Sequence, residues 1–443
     1  MSLPTEGLTR ALARAGLPAP SRIERLSGGA NMQSWRFHAG GQTYVLRRLP
    51  SEAMIGSRTL GMAGEVQVIG AARQAGVPAP EVVVVLEAGD GLGAGFVMRA
   101  IPGSAEPTLI LSVEEPGALM TEIAQALAAT QRVDPASIPD VPLMVTADAL
   151  GELRARFIQY GGNRPILALA VHWLETHLPA PVPPRLVHGD FRLGNLMVHD
   201  GHLSGVLDWE LAHLGDPVED LAYACMTVWR FSRPDRPALG LTPIVDWLAA
   251  YEAAGGGPVD RDRFRFWLVY RTFWWAISSL GMGYTWREGT DRSLERVVVA
   301  RRCAEQELDL LLLLEDGAPA AERRRPMPPS AQPSPPRPPI GEPSAGEILT
   351  AISEWLASDV KKLVSGRGHF DLAVARNALG IVARELEQQP VATDSGLAAD
   401  LLAGRRDLST PGVLACLRRM ALDKLTADRP KYPALATARA RWP

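Results

Sequence analysis

The sequence predicts an α+β chain of two lobes followed by a separate all-α region. Three observations carry this. Short strand-like segments crowd residues 1–101, helical periodicity dominates 102–318, and a proline-rich stretch, 319–343, sets off a helical tail, 344–443. Of the 443 residues, 47% are hydrophobic and 21% charged, the balance of an ordinary globular chain. Global disorder and rod-like repeats are excluded. The formal net charge of −3 offers no bulk positive field for nucleic acid.

Cys225, Cys303 and Cys416 are widely scattered and form neither a disulfide framework nor a zinc knuckle. A reducing compartment is expected, with a cytoplasmic location. The first residues lack an apolar core and do not read as a signal peptide; Leu8, Leu12 and Ala15 mark a short amphipathic helix. The most apolar run, Phe266–Tyr284, is interrupted by Arg271 and diluted by Ser278, Ser279 and Gly281, so it reads as a buried helix and not a membrane span.

In chain order, RIERLSGGANMQSWRFHAGGQTYVLRRL reads as strand, glycine turn, strand, turn, strand. GEVQVIGAARQAG has helical spacing at Val66, Ile69 and Ala72, and EVVVVLEAG and GAGFVMRAI are two further strands. VEEPGALMTEIAQALAATQRV and residues 149–178 are helical. From Pro319 onward proline fixes φ and removes donors, so an extended linker is expected. Beyond it, EILTAISEWLASDVKKL, FDLAVARNALGIVARELEQ and TPGVLACLRRMALDKL are amphipathic helices, the last with Thr410 as N-cap and Pro411 at the first helical position. Tail and linker carry about +3 and +2, leaving about −8 on the body. The tail shows no chemistry of its own, and a structural or partner-binding use is expected.

The chemistry lies in LVHGDFRLGNLMV and the GVLDWE that follows. Apolar Leu186–Val187 and Leu196–Val198 flank a polar loop. That loop should project Asp190 and Asn195 to one side, and the next hairpin arm should bring Asp208 beside them. An amide oxygen and a carboxylate are hard ligands suited to Mg2+. Asp190 is then free to accept a proton from an attacking hydroxyl. Base, metal ligands and positioning are what phosphoryl transfer requires.

On these motifs the body, residues 20–310, resembles the aminoglycoside-phosphotransferase type of small-molecule kinase, a relative of protein kinases. The resemblance implies a protein-kinase-like fold and ATP/Mg2+-dependent transfer to an alcohol. Asp190 would be the catalytic base and Asn195 and Asp208 the magnesium ligands. His188 would hold the loop, and Asp216 and Asp220 of LGDPVEDLAY would brace it. Ser27, Gly28 and Gly29 would cover the ATP phosphates with backbone N–H groups. In YVLRR, Arg47 stands where many kinases have lysine, with Glu65 orienting it and Arg48, on the opposite pleat, facing solvent. Met98 and Ala100 of GFVMRAIPG would offer backbone groups to adenine.

The motifs are most similar to the branch whose kinase-like domain is fused to acyl-CoA dehydrogenases, and the tail is similar to a helical domain accompanying such bacterial kinases. A hydroxyacyl-CoA acceptor is implied, with an aminoglycoside, choline or another small alcohol as alternatives. Few acids lie near the late aromatic helix, which disfavours a polycationic aminoglycoside; the body's negative charge weighs mildly against a CoA ester. Two other readings stand beside this one: a nucleotide-binding regulatory module without turnover, supported only by Arg47, and a scaffold whose tail recruits a partner or a second copy. Nucleic-acid and membrane partners are not expected.

Overall fold

The computed structural model describes residues 3–26, 32–49, 60–329, 342–387 and 395–442. They form two compact units: 1–145 with 180–267, and 146–179 with 268–443.

The first unit opens with helix α1 (Thr5–Arg14) and strands β1 (Ser21–Arg25), β2 (Gln33–Ala39) and β3 (Gln42–Leu49). Helix α2 (Met62–Gln74), β4 (Val82–Val85) and β5 (Ala94–Arg99) follow. The expected five strands and single inserted helix are present, with α1 preceding them. All pairings are antiparallel in the order β1-β2-β3-β5-β4. Residues alternate across a pleated strand, so Tyr44 and Leu46 share one face of β3 and Val45 and Arg47 the other. Leu8, Ala11 and Leu12 of α1 join Phe37, Tyr44, Leu46 and Val97 in one core, while α2 lies against β4 and β5. Arg14 fastens α1 through two bonds to the buried carboxylate of Asp90, at 2.6 and 2.9 Å.

The covering by α1 corrects the expectation for Arg48. It lies on the pleat opposite Arg47, but that face is buried. Its guanidinium bonds Gln33 Oε1 at 3.0 Å and the Leu92 carbonyl at 3.1 Å.

The same unit continues through α3 (Pro107–Ile110) and α4 (Pro116–Thr130). Strands β6 (Arg185–Val187), β7 (Leu196–His199), β8 (His202–Val206) and β9 (His213–Gly215) come next, then α7 (Val218–Tyr223) and α8 (Ile244–Ala253). β7 and β8 form a hairpin, and β6 pairs with β9.

The second unit is helical: α5 (Thr146–Gln159), α6 (Pro165–Thr176), α10 (Leu294–Arg301), α11 (Cys303–Leu314), α12 (Ala320–Arg323), α13 (Ala345–Trp355), α14 (Lys361–Leu363), α15 (Arg367–Leu386), α16 (Leu397–Leu402), α17 (Val413–Asp428) and α18 (Pro433–Arg441). The division between units falls inside α9 (Arg261–Arg287), which contains the aromatic run. Phe266, Trp267, Tyr270 and Phe273 are buried there, and Arg271 lies with its guanidinium 4.2 Å from the Trp274 ring centre. Among the described residues no helix is long and apolar enough to cross a membrane.

Two local expectations are corrected. Residues 320–323 form a helical turn, because Pro319 precedes the helix and no further proline occurs before Pro326. The last predicted helix begins at Val413, with Gly412 as its N-cap at φ +81°. Asp407 draws the N–H groups of Ser409 and Thr410 into its own turn, which takes Thr410 away from capping.

Tail helices pack on helices that precede the proline-rich segment: α16 on α6, and α17 and α18 on α11. The seam is polar. Glu307 of α11 meets Arg164 at 2.9 Å and Lys424 at 3.0 Å; Tyr432 donates to Asp309 at 2.6 Å. Arg418 bonds Glu315 at 2.6 and 3.0 Å, with both side chains buried.

Candidate active site

The loop after β6 is held from below. Asp220, fully buried in α7, accepts the His188 N–H at 2.7 Å on one oxygen and the Gly189 N–H at 2.9 Å on the other. Burial pushes this carboxyl above its ordinary value, against the pull of His188 and of the two N–H groups. Gly189 has φ +81°, and a Cβ there would lie 2.4 Å from the Leu211 carbonyl oxygen, so only glycine fits. The His188 ring is fixed by its partners. Nε2 donates to the Leu207 carbonyl at 2.9 Å, which leaves Nδ1 to accept the Asp190 N–H at 3.2 Å. The imidazole is a strut of the loop.

Asp190 is drawn to one place by three side chains. Oδ1 accepts the Tyr223 hydroxyl at 2.6 Å, Oδ2 accepts the Asn195 amide at 2.6 Å, and Arg192 Nε is shared between them at 3.0 and 3.2 Å. Asn195 gives its second amide hydrogen to the Asp190 carbonyl at 2.8 Å. Both Asn195 donors are thereby used, and its Oδ1 is left as the oxygen able to meet a cation.

The Leu207 N–H bonds the Asn195 carbonyl at 2.8 Å, which ties the β8 end to the loop. The next residue, Asp208, has φ +67° and accepts Arg47 Nη2 at 2.6 Å. Arg47 Nη1 stands 3.5 Å from Glu65 Oε1, and Glu65 is fully buried. Burial opposes the charges of Arg47 and Asp208, but their mutual attraction outweighs it: the guanidinium is held above its ordinary value and the carboxyl below. Glu65 stands at ion-pair distance from Arg47, and the closer bond of Arg47 to Asp208 was not expected.

Asp190, Asn195 and Asp208 are thus gathered on one loop and hairpin, with Arg47 and Glu65 joined to them. Met98 is buried in β5, opposite Val45 and Val82, and the Ala100 N–H is taken by the Thr43 carbonyl at 3.0 Å. Ser27, Gly28 and Gly29 lie outside the described residues. Asp220 bonds the loop backbone as expected, whereas Asp216 departs from the expectation: it accepts the Val218 N–H at the start of α7 and pairs with Arg263. Sequence reasoning missed Arg192 and Tyr223. Arg192 stood inside the quoted motif, two residues after Asp190, and could have been weighed as a cation beside that carboxylate.

The donor set suits magnesium. Among the described residues no group of three or more His, Cys, Asp or Glu is placed to hold a metal. Magnesium at a phosphate site, however, takes one or two protein oxygens and completes its shell with water and phosphate. Asp208 and Asn195 Oδ1 can supply that pair.

Comparison with known proteins follows the same lines. Mouse acyl-CoA dehydrogenase family member 10 is 27% identical over 304 residues, covering 62% of this chain and 28% of that protein. Human acyl-CoA dehydrogenase family member 11 is 27% identical over 213 residues, covering 45% and 27%. The chain therefore spans less than a third of the length of these relatives. Among solved structures, a protein assigned as an aminoglycoside phosphotransferase from Ralstonia eutropha JMP134 superposes with a TM-score of 0.57 at 24% identity, over 71% of this chain and 99% of that one. A thermostable mutant of aminoglycoside phosphotransferase APH(4)-Ia, in ternary complex with AMP-PNP and hygromycin B, gives 0.52 at 18%, over 71% and 98%. These two likenesses show a shared kinase-like fold. The family model for phosphotransferase enzymes matches residues 22–267, more than half of the sequence, and the chain belongs to the phosphotransferase enzyme family.

Proposed function

We propose that this phosphotransferase moves the γ-phosphoryl group of ATP, with Mg2+, to a hydroxyl of a small molecule, and that a hydroxyacyl-CoA is the acceptor. The observation that carries the first part is the convergence of Asp190, Asn195 and Asp208, with Arg47 bonded to Asp208. Asp190 takes the acceptor's proton and aligns its oxygen for in-line attack. Asn195 and Asp208 hold magnesium, which when bound neutralises charge on the phosphates. Arg47, oriented by Glu65, turns its fork of donors to phosphate oxygens. At the end of β5, Met98 and Ala100 line the adenine site. Because the Ala100 N–H is engaged, its carbonyl is the group offered to the adenine amine.

The acceptor class is supported by the relatives' names, which join this kind of chain to acyl-CoA dehydrogenases. Phosphorylation converts a hydroxyl into a good leaving group, a fitting step before its removal from an acyl chain. ATP and reducing conditions coexist in the cytoplasm, which suits three free cysteines. The test is incubation with Mg·ATP and a panel of 3- and 4-hydroxyacyl-CoA esters, aminoglycosides and choline, read by mass spectrometry. A phosphorylated acyl-CoA is expected. Product only from an aminoglycoside or choline would replace the acceptor, and absence of ADP release from every mixture would refute the activity.

A further inference from the structure

The lone pairs of Asp190 are claimed unequally. Tyr223 and Asn195 each make one short bond, to Oδ1 and Oδ2 respectively, whereas Arg192 divides a single N–H between the two oxygens at longer range. An incoming alcohol needs one of these lone pairs. The divided contact is the weakest and is the one to yield; the two short bonds remain. A terminal carboxylate torsion is broad and soft, and fixing its plane requires a hold on each oxygen.

We propose that Tyr223 is a positioning residue for phosphoryl transfer: its hydroxyl, acting with Asn195, locks the plane of the Asp190 carboxylate so that the lone pair released by Arg192 faces the acceptor oxygen. This rests on the reading of Asp190 as the base. The surroundings support it. Tyr223 is buried at the end of α7, the helix whose Asp220 already holds the loop backbone. One helix thus sets both the backbone and the side chain of the base. The Tyr223 ring packs 5.9 Å from that of Trp229, and the Arg192 guanidinium lies 4.9 Å from the same indole, which gives the displaced arginine a platform. A phenylalanine would fill the ring's space equally well, so packing does not account for the hydroxyl.

The assay is ADP release from Mg·ATP with water as the acceptor, which requires no identified alcohol. Tyr223→Phe should lower kcat about tenfold, the order expected for loss of a hydrogen bond to a charged group, with the KM for ATP unchanged and the melting temperature lowered by only a few degrees. 3-Fluorotyrosine at position 223 keeps the O–H and should restore kcat. In an Asp190→Asn background Tyr223→Phe should add no further loss, because the two act as one unit. Unchanged kcat in Tyr223→Phe, or an equal loss in both backgrounds, overturns the role of Tyr223. Wild-type turnover in Asp190→Asn overturns instead the reading of Asp190.

Discussion

Replacing Arg47 by methionine keeps most of the stem and deletes the charge. In the folded chain one guanidinium serves Asp208 at 2.6 Å and Glu65 at 3.5 Å, and Glu65 has no exposed surface. Opposite charges about 4 Å apart attract by roughly 4 kcal/mol at an effective dielectric constant of about 20. Removing one partner of a buried pair costs about 3–5 kcal/mol, since the other charge is left uncompensated. Asp208 is partly exposed and can recruit water, so the lower figure, about 3 kcal/mol, is expected. At about 2–4 °C per kcal/mol for a unit of this size, the melting temperature should fall by roughly 6–12 °C. Nucleotide affinity should fall separately, by about 10- to 100-fold, because charge-assisted bonds to phosphate are lost. Arg47→Met/Glu65→Leu distinguishes the two effects: stability should largely return and Mg·ATP affinity should not. Calorimetric melting and titration with Mg·AMP-PNP measure both. An Arg47→Met protein with wild-type melting and wild-type nucleotide affinity would refute the electrostatic account.

Three other outcomes follow from the geometry. Arg418→Ala removes the buried partner of Glu315 and leaves it the more exposed Arg441 at 2.8 Å, so the lower end of the usual range, about 3 kcal/mol, is expected in urea denaturation; a loss under about 1 kcal/mol would show that the Arg418 pair is not desolvated. Gly189→Ala forces a Cβ against the Leu211 carbonyl and should abolish turnover while AMP-PNP still binds, a result checked by activity and titration together. Burial pushes the Asp428 carboxyl up to about 6 from an ordinary 3.8. Between roughly pH 4 and 6 the folded chain therefore holds the extra proton, and this group's contribution to stability falls as pH rises through that window and levels off above it. Asp428→Asn should remove that share of the slope in urea midpoints taken at pH 4.5 and 7; identical slopes in the two proteins would count against it.

The parts of the site that were legible in the sequence are those where neighbours along the chain constrain one another. The HGDxxxxN loop, its apolar flanks and the following hairpin place Asp190, Asn195 and Asp208 through local geometry alone. Strand alternation likewise put Arg47 and Arg48 on opposite faces. What alternation cannot tell is which face is covered. That depended on α1, whose apolar stripe was read correctly but whose docking site was not. The Arg47–Asp208 bond joins residues 161 positions apart and has no local signature. Tyr223 was quoted within a motif but passed over, because one more aromatic in an apolar helix reads as packing. Glu307, Asp309 and Glu315 were hidden for a related reason: ELDLLLLLEDG reads as core, and the partners that permit acids there, Lys424, Tyr432 and Arg418, stand more than a hundred positions further along the chain.

The seam of Glu307, Asp309 and Glu315 with Lys424, Tyr432 and Arg418 makes the covalent path through the proline-rich segment redundant for cohesion. A chain cut between Pro329 and Glu342 would run as two bands after denaturation yet travel as one particle beforehand. The two pieces could be expressed as separate genes and still assemble, because recognition is written into α11 and its partner helices and not into the link.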